Sequence, residues 1–493
     1  MKTKLFVNGR ILAPAELSAF LLLTSYFLLL TSLPAQTIAA GGDQGSHSLA
    51  ICSDSTVRAW GNNFFGELGN GNNTASNVPV SVSSLSGITA IAGGLYHSLA
   101  LKNDSTVWAW GYNIDGQLGN GTNTDSNIPV QVSGLSGITA IAAGGYHSFA
   151  LKNNGTVWAW GYNFDGQLGN GNNTASNVPV SVSSLTGIIA IAGGTGHSLA
   201  LKNGGTVWAW GGNGAGQLGN GTNTDSNVPV QVSSLTGITA IVAGGYHSLA
   251  LKNDSTVWAW GGNVAGQLGN GNNTASNVPV SVSSLTGITA LAGGYYHSLA
   301  LKNDSMVWAW GDNGAGQLGN GNNTASNVPV SVSSLTGITA IAGGGYHSLA
   351  LMNGGTVWAW GYNIDGQLGN GNNTDSNVPV QVTGLCPVLN AINEITEQLF
   401  VTVSPNPTSG LFNVQTRLPD GQVSGLANPP AAWAGMQMNS IEVYNVFGEM
   451  VLDLPINQLT NQLINLSFQP EGIYFVKIET AQGMVSRKVV LMK

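Results

Sequence analysis

The chain is long enough for two or three domains at 493 residues, yet only 7% of them are charged, against roughly 25% in an ordinary soluble protein. Its apolar residues fall in short runs split by Gly, Asn, Ser and Thr, which excludes a bundle of membrane helices and points to many short strands and turns. The formal net charge is −8, and the lysines of the central region recur singly at one position (Lys102, Lys152, Lys202, Lys252, Lys302); without clustered cations, nucleic acid is not expected as a partner.

Residues 1–35 read as a signal peptide. Lys2, Lys4 and Arg10 give a positive start, 19–33 (AFLLLTSYFLLLTSL) gives an apolar core, and Leu33-Pro34-Ala35 offers a small residue at the cut. The run is short for a membrane span, which needs roughly 20 apolar residues.

From 36 to 385 the chain is a tandem array with a period of 50 residues, and its seven histidines, His47 to His347, all fall at one repeat position. Each copy predicts four strands. In one copy these are Ile138–Ala143, His147–Leu151, Thr156–Trp160 and Val178–Val182. Asn153-Asn154-Gly155 between the second and third has tight-hairpin chemistry, because Asn and Gly tolerate positive φ. Seven units of four strands, none able to bury its faces alone, predict an all-β fold: a seven-bladed β-propeller. Strand alternation puts Trp158 and Trp160 on one face, and thirteen of the fourteen tryptophans occupy these two positions. Arg58 replaces the first of the pair in copy one, so that position is expected to be the less buried.

The motifs Ala-Trp-Gly…Gly-Gln-Leu-Gly-Asn-Gly…Val-Pro-Val and Gly-Gly-x-His-Ser-Leu-Ala-Leu resemble the repeat of the regulator of chromosome condensation family, a family of seven-bladed propellers. Its members include a nuclear guanine-nucleotide exchange factor, parts of ubiquitin ligases and a bacterial β-lactamase inhibitor. What they share implies binding through propeller faces. The resemblance also implies a clasp, one blade built from both chain ends, whereas the register read from the residues makes every blade continuous; both arrangements stay open. Cys52 and Cys386, the only cysteines, lie near the two ends of the array and are candidates for a disulfide in an exported protein. The alternative is two separate thiols.

Residues 386–399 read as a linker. The segment 400–493 has alternating apolar residues and turns rich in Pro, Gly and Asn, which predicts a small immunoglobulin-like β-sandwich. Its Pro405-Asn406-Pro407-Thr408-Ser409-Gly410 start and Gly472-Ile473-Tyr474 near the end resemble the C-terminal sorting domain of type IX secretion substrates in Bacteroidetes. One departure is the Pro/Ala/Gly-rich insertion 419–438, expected to be a surface loop. The resemblance implies the type IX secretion machinery as a partner, passage through the periplasm, and release from or attachment to the cell surface.

No metal, cofactor or catalytic group is expected. A tetrahedral metal site needs several ligands around one ion, and histidines one blade apart do not supply them away from the axis; in the family this histidine braces backbone. The segment 119–127 (GNGTNTDSN) lacks the alternating acids and closing Glu of a Ca²⁺ loop. No nucleophile elbow, phosphate loop or acid pair is present, so the protein is not expected to be an enzyme.

Comparison of the copies isolates two variable sets against a nearly constant frame. One follows the Trp strand and includes Phe64, Phe65, Tyr112, Asp115, Tyr162, Asp165, Tyr362 and Asp365. The other precedes the histidine: Tyr96, Tyr146, Tyr246, Tyr295, Tyr296 and Tyr346. Strand counting places both sets on one rim, opposite the Lys-Asn-Asp-Ser hairpins. Loops on a rigid scaffold are where binding usually resides, and aromatic anchors favour protein contact or a stacked sugar. The expected function is therefore non-catalytic binding of a protein or glycan by a monomer through this face; a purely structural or adhesive role and an unrecognised hydrolase are the alternatives. A further paired variation, Ala75 with Ser81 against Asp125 with Gln131, is open to a side-chain contact or to duplication of whole units.

Overall fold

The computed structural model describes residues 6–7, 10–11, 38–42, 47–386, 400–404, 411–417, 438–445, 450–455, 462–466, 468–480 and 483–491. The apolar core expected of the signal peptide, the segment 387–399 and nearly all of the insertion 419–438 lie outside them. Within 1–35, Phe6–Val7 pairs with Arg10–Ile11. Among the described residues no helix is long and apolar enough to cross a membrane. The chain divides into two units, Met1–Leu385 and Cys386–Lys493.

The first unit holds seven four-stranded antiparallel sheets, each made of four strands consecutive in sequence. These blades span 38–81, 88–131, 138–181, 188–231, 238–281, 288–331 and 338–381. In blade 3 the strands are Ile138–Ala143, His147–Lys152, Val157–Gly161 and Ser176–Ser181. The fourth begins two residues earlier than its apolar pattern suggests, because a bulge after Ala159 lets Ser176 pair with Gly161. The antiparallel order sends two connections of each blade to one rim, the loop before His and the long loop after Trp-Gly. The tight hairpin goes to the other rim.

Blades meet through large apolar residues. The second tryptophan of each pair, Trp60 to Trp360, is fully buried against the neighbouring blade. Burying an indole of roughly 200 Å² stabilises the ring by about 5 kcal/mol before ordering entropy is counted. The first of each pair, including Arg58 and Trp158, is half-buried, as the Arg58 replacement predicts. The close approach has a stereochemical condition: a Cβ on Gly119 would lie 2.7 Å from Nε1 of Trp160, and Gly119 has φ near +62°. That is why Gly-Gln-Leu-Gly travels with Ala-Trp-Gly.

The ring closes without a clasp. No blade is assembled from both ends; blade 7 docks on blade 1 with the contacts that join every other pair, so the strand exchange implied by the family resemblance is absent here. Trp60 Nε1 donates to the Gln367 carbonyl at 2.9 Å, and the Asn77 side chain donates to Asn373 Oδ1 at 2.8 Å. Cys52 and Cys386 are both disulfide-bonded, and the chain contains no other cysteine, so a covalent tie adds to these contacts.

In the second unit the described strands form two antiparallel sheets. Phe400–Ser404, Leu411–Arg417 and Gln462–Asn465 make one; Met438–Asn445, Met450–Pro455, Gly472–Thr480 and Gly483–Leu491 make the other. Ile441, Val443, Val476, Ile478 and Val489 alternate inward and are buried. Glu442, Tyr444 and Lys477 lie on the opposite face, where Lys477 Nζ is 2.9 Å from Glu442 Oε2.

Candidate functional site

The histidines are consumed by the frame. His47 Nε2 is 2.7 Å from Ser98 Oγ on the next blade. Ser98 Oγ donates to the Glu67 carbonyl at 2.8 Å, and Trp110 Nε1 donates to the same carbonyl at 2.7 Å. Since the serine proton goes to the carbonyl, the imidazole must donate from Nε2, which fixes the neutral tautomer. The unit recurs at all seven interfaces, with His–Ser distances of 2.7 to 3.1 Å, and ends where His347 meets Ser48. The histidine thus braces backbone indirectly, through a neighbour's hydroxyl. Gly94 leaves room for the ring: a Cβ there would sit 2.2 Å from Cε1 of His97. Burial pushes these imidazoles down, to about 3 for His47, His147, His197, His247 and His347 and about 4 for His97 and His297.

The long loops are built by amides. Asn113 Oδ1 accepts the Leu118 N–H at 2.8 Å, while its Nδ2 donates to the Thr122 and Thr124 carbonyls, both at 3.0 Å. Asp125 Oδ1 accepts the Asn113 N–H at 2.7 Å. It therefore caps its own loop at one end of the strand Ser126–Gln131, whereas Gln131 sits at the other end; the pairing of the two in sequence is not a contact between them. Asn127 Nδ2 donates to Asn73 Oδ1 of the preceding blade at 2.9 Å, and equivalent bonds circle the whole ring. On this fixed base the variable positions project.

The structure brings most of those variable residues into two aromatic arcs on one rim. In blades 1 to 3, the Phe65 ring lies 5.2 Å from Tyr96 and 4.7 Å from Tyr112. Tyr146 follows at 6.3 Å from Tyr96 and 6.4 Å from Tyr112, then Tyr162 at 6.2 Å from Tyr146. Phe64 and Phe164 stand at the two ends of the arc. In blades 5 to 7, Tyr295 lies 5.4 Å from Tyr246, 4.7 Å from Tyr296 and 6.0 Å from Tyr346, which continues to Tyr362 at 6.4 Å. Blade 4 interrupts the two, with Gly196, Gly212 and Gly214 at the aromatic positions. Most of these contacts are edge-to-face, so the rings support one another as a wall.

Asp115 and Asp165 belong to the first arc. Burial raises both carboxyls above the usual range, and Asp225 adds to the effect at Asp165. The phenols of Tyr112 and Tyr162 are raised by burial and by these carboxylates. Asp365 sits in the equivalent loop of blade 7 and adds to the upward shift at Glu67.

Two features of the face go beyond the reading from sequence, which named Phe64 as a candidate but not its outward-facing neighbours. One is a crown of exposed apolar side chains, with Phe64 and Phe164 each 72% exposed, Ile114 60%, Val264 77% and Ile364 59%. Their position was visible among the variable ones, but its outward direction depends on the loop. The other is Glu67, which replaces the Gln of the other six copies. It is buried, its Oε2 accepts the Phe65 N–H at 2.8 Å, and its Oε1 has no hydrogen-bond partner. Burial pushes its carboxyl up to about 7. The signal was its uniqueness at an otherwise constant position.

A cavity of about 270 Å³ runs along the ring axis. It is lined by the innermost strands, chiefly Ala, Gly, Ile, Leu and Val, with Thr195 and Tyr295 supplying its polar side chains. Nothing in that lining can accept or deliver a proton near neutral pH. At the hairpin rim, lysines are engaged locally: Lys252 with Asp254 at 3.2 Å and Lys302 with Asp304 at 3.1 Å.

Sequence and structure comparisons agree with this architecture. Residues 138–397 match the RCC1-like domain, and 54–101 and 104–151 match the regulator of chromosome condensation (RCC1) repeat. Residues 402–492 match the secretion system C-terminal sorting domain. No curated protein matches the chain. Among solved structures, Prp20p from Saccharomyces cerevisiae is 25% identical over 70% of this chain and 88% of its own, with a TM-score of 0.59. Yeast RCC1 (Prp20) in complex with Kap60 is 24% identical over 70% of this chain and 86% of its own, at 0.60. Human WBSCR16 is 26% identical over 66% of this chain and 94% of its own, at 0.61. With its propeller repeats and more than half its length matched, the chain belongs to the RCC1-like domain family and carries a secretion-system sorting domain at its C-terminal end.

Proposed function

We propose that the protein is a secreted or surface-attached propeller that binds a protein or glycan through the aromatic loop face, as a monomer and without catalysis. One observation carries the reading: most of the aromatic residues at the positions that vary between otherwise near-identical copies are gathered into two arcs on one rim. Here rings from different blades are in van der Waals reach of one another, above a frame held by buried hydrogen bonds. Half-buried aromatic residues on rigid loops bind with little loss of side-chain entropy. The apolar lining of the axial cavity and the use of every histidine as a structural donor support a non-catalytic role. A structure related to this chain is described in terms of binding to Gsp1p and histones, which are protein partners.

The sorting domain supports export, with the N-terminal segment as signal peptide and the periplasm as the intermediate compartment. Deleting 400–493 should trap the propeller in the periplasm; normal surface display of the truncated chain would overturn that assignment. For the face, the full-length protein is tested against glycan and protein arrays. Changing Tyr112, Tyr162 and Tyr362 to Ala should abolish binding of any ligand found, and unchanged binding would refute the face as the site.

A further inference from the structure

We infer that the ligand of the loop face is a cationic polypeptide segment, seated on the arc of blades 1 to 3 with Lys or Arg side chains directed at Asp115 and Asp165. The inference rests on the reading of this face as the binding surface and names the class of partner.

Charge is segregated between the rims. The long loops 62–75, 112–125, 162–175, 212–225, 262–275, 312–325 and 362–375 carry acidic residues in six of seven copies and no Lys or Arg in any. The repeat lysines all lie on the hairpin rim, where Lys102, Lys252 and Lys302 face Asp104, Asp254 and Asp304. The aromatic face therefore presents a field of one sign, which selects partners of the other.

Within that field the first arc has the right parts. Asp115 lies close enough to influence the phenols of both Tyr112 and Tyr162, and Asp165 acts on Tyr162 as well. Carboxylates beside aromatic rings offer a cation both an ion pair and a ring quadrupole. Space is left at the end of the arc. Asp165 Oδ2 packs against Gly196, where an added Cβ would be 3.2 Å away, whereas a Cβ on Gly214 would meet nothing within 4 Å, so the open floor for a long side chain lies at Gly214. Exposed Phe64, Ile114 and Phe164 flank the arc and suit the aliphatic stems of such residues.

The same features disfavour a sugar. Phe65 meets Tyr96 and Tyr112 at interplanar angles of 64° and 65°, so these three rings do not form one flat stacking platform. The partly buried carboxylates of Asp115 and Asp165 gain most from a positive charge, accept only hydrogen bonds from a neutral glycan and lose with an anionic one.

The test uses the full-length protein and fluorescence anisotropy with a labelled peptide of alternating Arg and Gly. A Glu-Gly peptide of the same length and a labelled chitin oligosaccharide are the comparison probes. The Arg-Gly peptide should bind, more weakly as salt rises. The double substitution Asp115→Asn with Asp165→Asn should weaken it roughly tenfold. Asp54→Asn with Asp104→Asn removes the same charge at the hairpin rim, where Asn154 already fills the equivalent position; it should change binding by less than about twofold. Failure of the Arg-Gly peptide to bind, equal losses in the two double variants, or equal binding of the Glu-Gly peptide would each overturn the inference. If the oligosaccharide binds and Tyr112→Ala with Tyr162→Ala removes it while the Arg-Gly peptide fails, the face is a binding site and the cationic partner is wrong. If the Arg-Gly peptide binds and neither the Asp nor the Tyr variants weaken it, both readings fall.

Discussion

Acidification from pH 7.5 to 5.5 should cost the propeller much of its stability, through histidine alone. All seven imidazoles are buried and neutral in the folded ring, with their proton affinity lowered to about 3 or about 4. In the unfolded chain each titrates near 6.5. A base with a depressed folded pKa binds its proton in the unfolded state first, so stability falls as pH drops below about 6.5 and continues to fall to the folded value. At pH 5.5 each site has lost about 1.4 kcal/mol, or about 10 kcal/mol for the set. Glu67 works in the opposite direction. Its folded pKa is raised to about 7, so its contribution is present at low pH and is lost as pH rises through 7. It returns about 2 kcal/mol over the same interval. The net loss is about 8 kcal/mol, comparable with the whole stability of many domains. With a guanidinium m-value of roughly 5 kcal/mol/M, the midpoint of full-length protein followed by tryptophan fluorescence should drop by about 1.5 M. Long-range ¹⁵N–¹H NMR should show each histidine protonated at Nε2 and unresponsive through the same range. A midpoint that stays within about 0.3 M, or imidazoles titrating near 6.5 in the folded state, would refute the buried neutral ring.

Other substitutions probe separate parts of the frame. Glu67→Gln restores the residue of the other six copies, and its stability advantage over wild type should grow by about 1.4 kcal/mol between pH 6 and pH 8.5; an advantage independent of pH would mean that Glu67 does not titrate there. Ser105 has φ near +64° at a hairpin position where blade 3 carries Gly155 at +75°. Ser105→Gly should therefore stabilise by about 0.5–1 kcal/mol in denaturant melts, and a loss would show that the turn does not need the left-handed conformation. The Cys52–Cys386 bond closes a long loop in the unfolded chain, so opening it should cost about 3–5 kcal/mol, read as a lower melting temperature after Cys52→Ser or reduction. An unchanged melting temperature would make the bond dispensable.

Much of the ring is legible before any coordinates. A 50-residue period with Trp-Ala-Trp, His-Ser and Val-Pro-Val at fixed positions dictates the strands of blade 3 to within one or two residues, and Arg58 in copy one identifies the less buried tryptophan. The manner of closure is not legible. A periodic sequence looks alike wherever the first blade starts, and the contacts that join His47 to Ser98 are the same as those that join His347 to Ser48. At the face, up-and-down strand counting places the variable loops on one rim. The distance from Phe65 to Tyr112 depends on the angle between blades, which no residue pattern expresses. Glu67 is hidden for another reason: at a position otherwise occupied by Gln it reads as part of the frame, and only its burial reveals that the change alters chemistry.

The asparagine bonds that run from blade to blade have a topological consequence. A stack of repeats in a line leaves unsatisfied groups at each end and needs special caps there. A circle has no ends, so every donor in the chain of amides finds an acceptor, Asn77 reaching back to Asn373. Loss of one repeat would leave two mismatched surfaces with their histidines, serines and indoles unpaired. Completion is therefore close to all-or-none: damage to one repeat is felt by the whole ring, which suits a protein that must be exported intact.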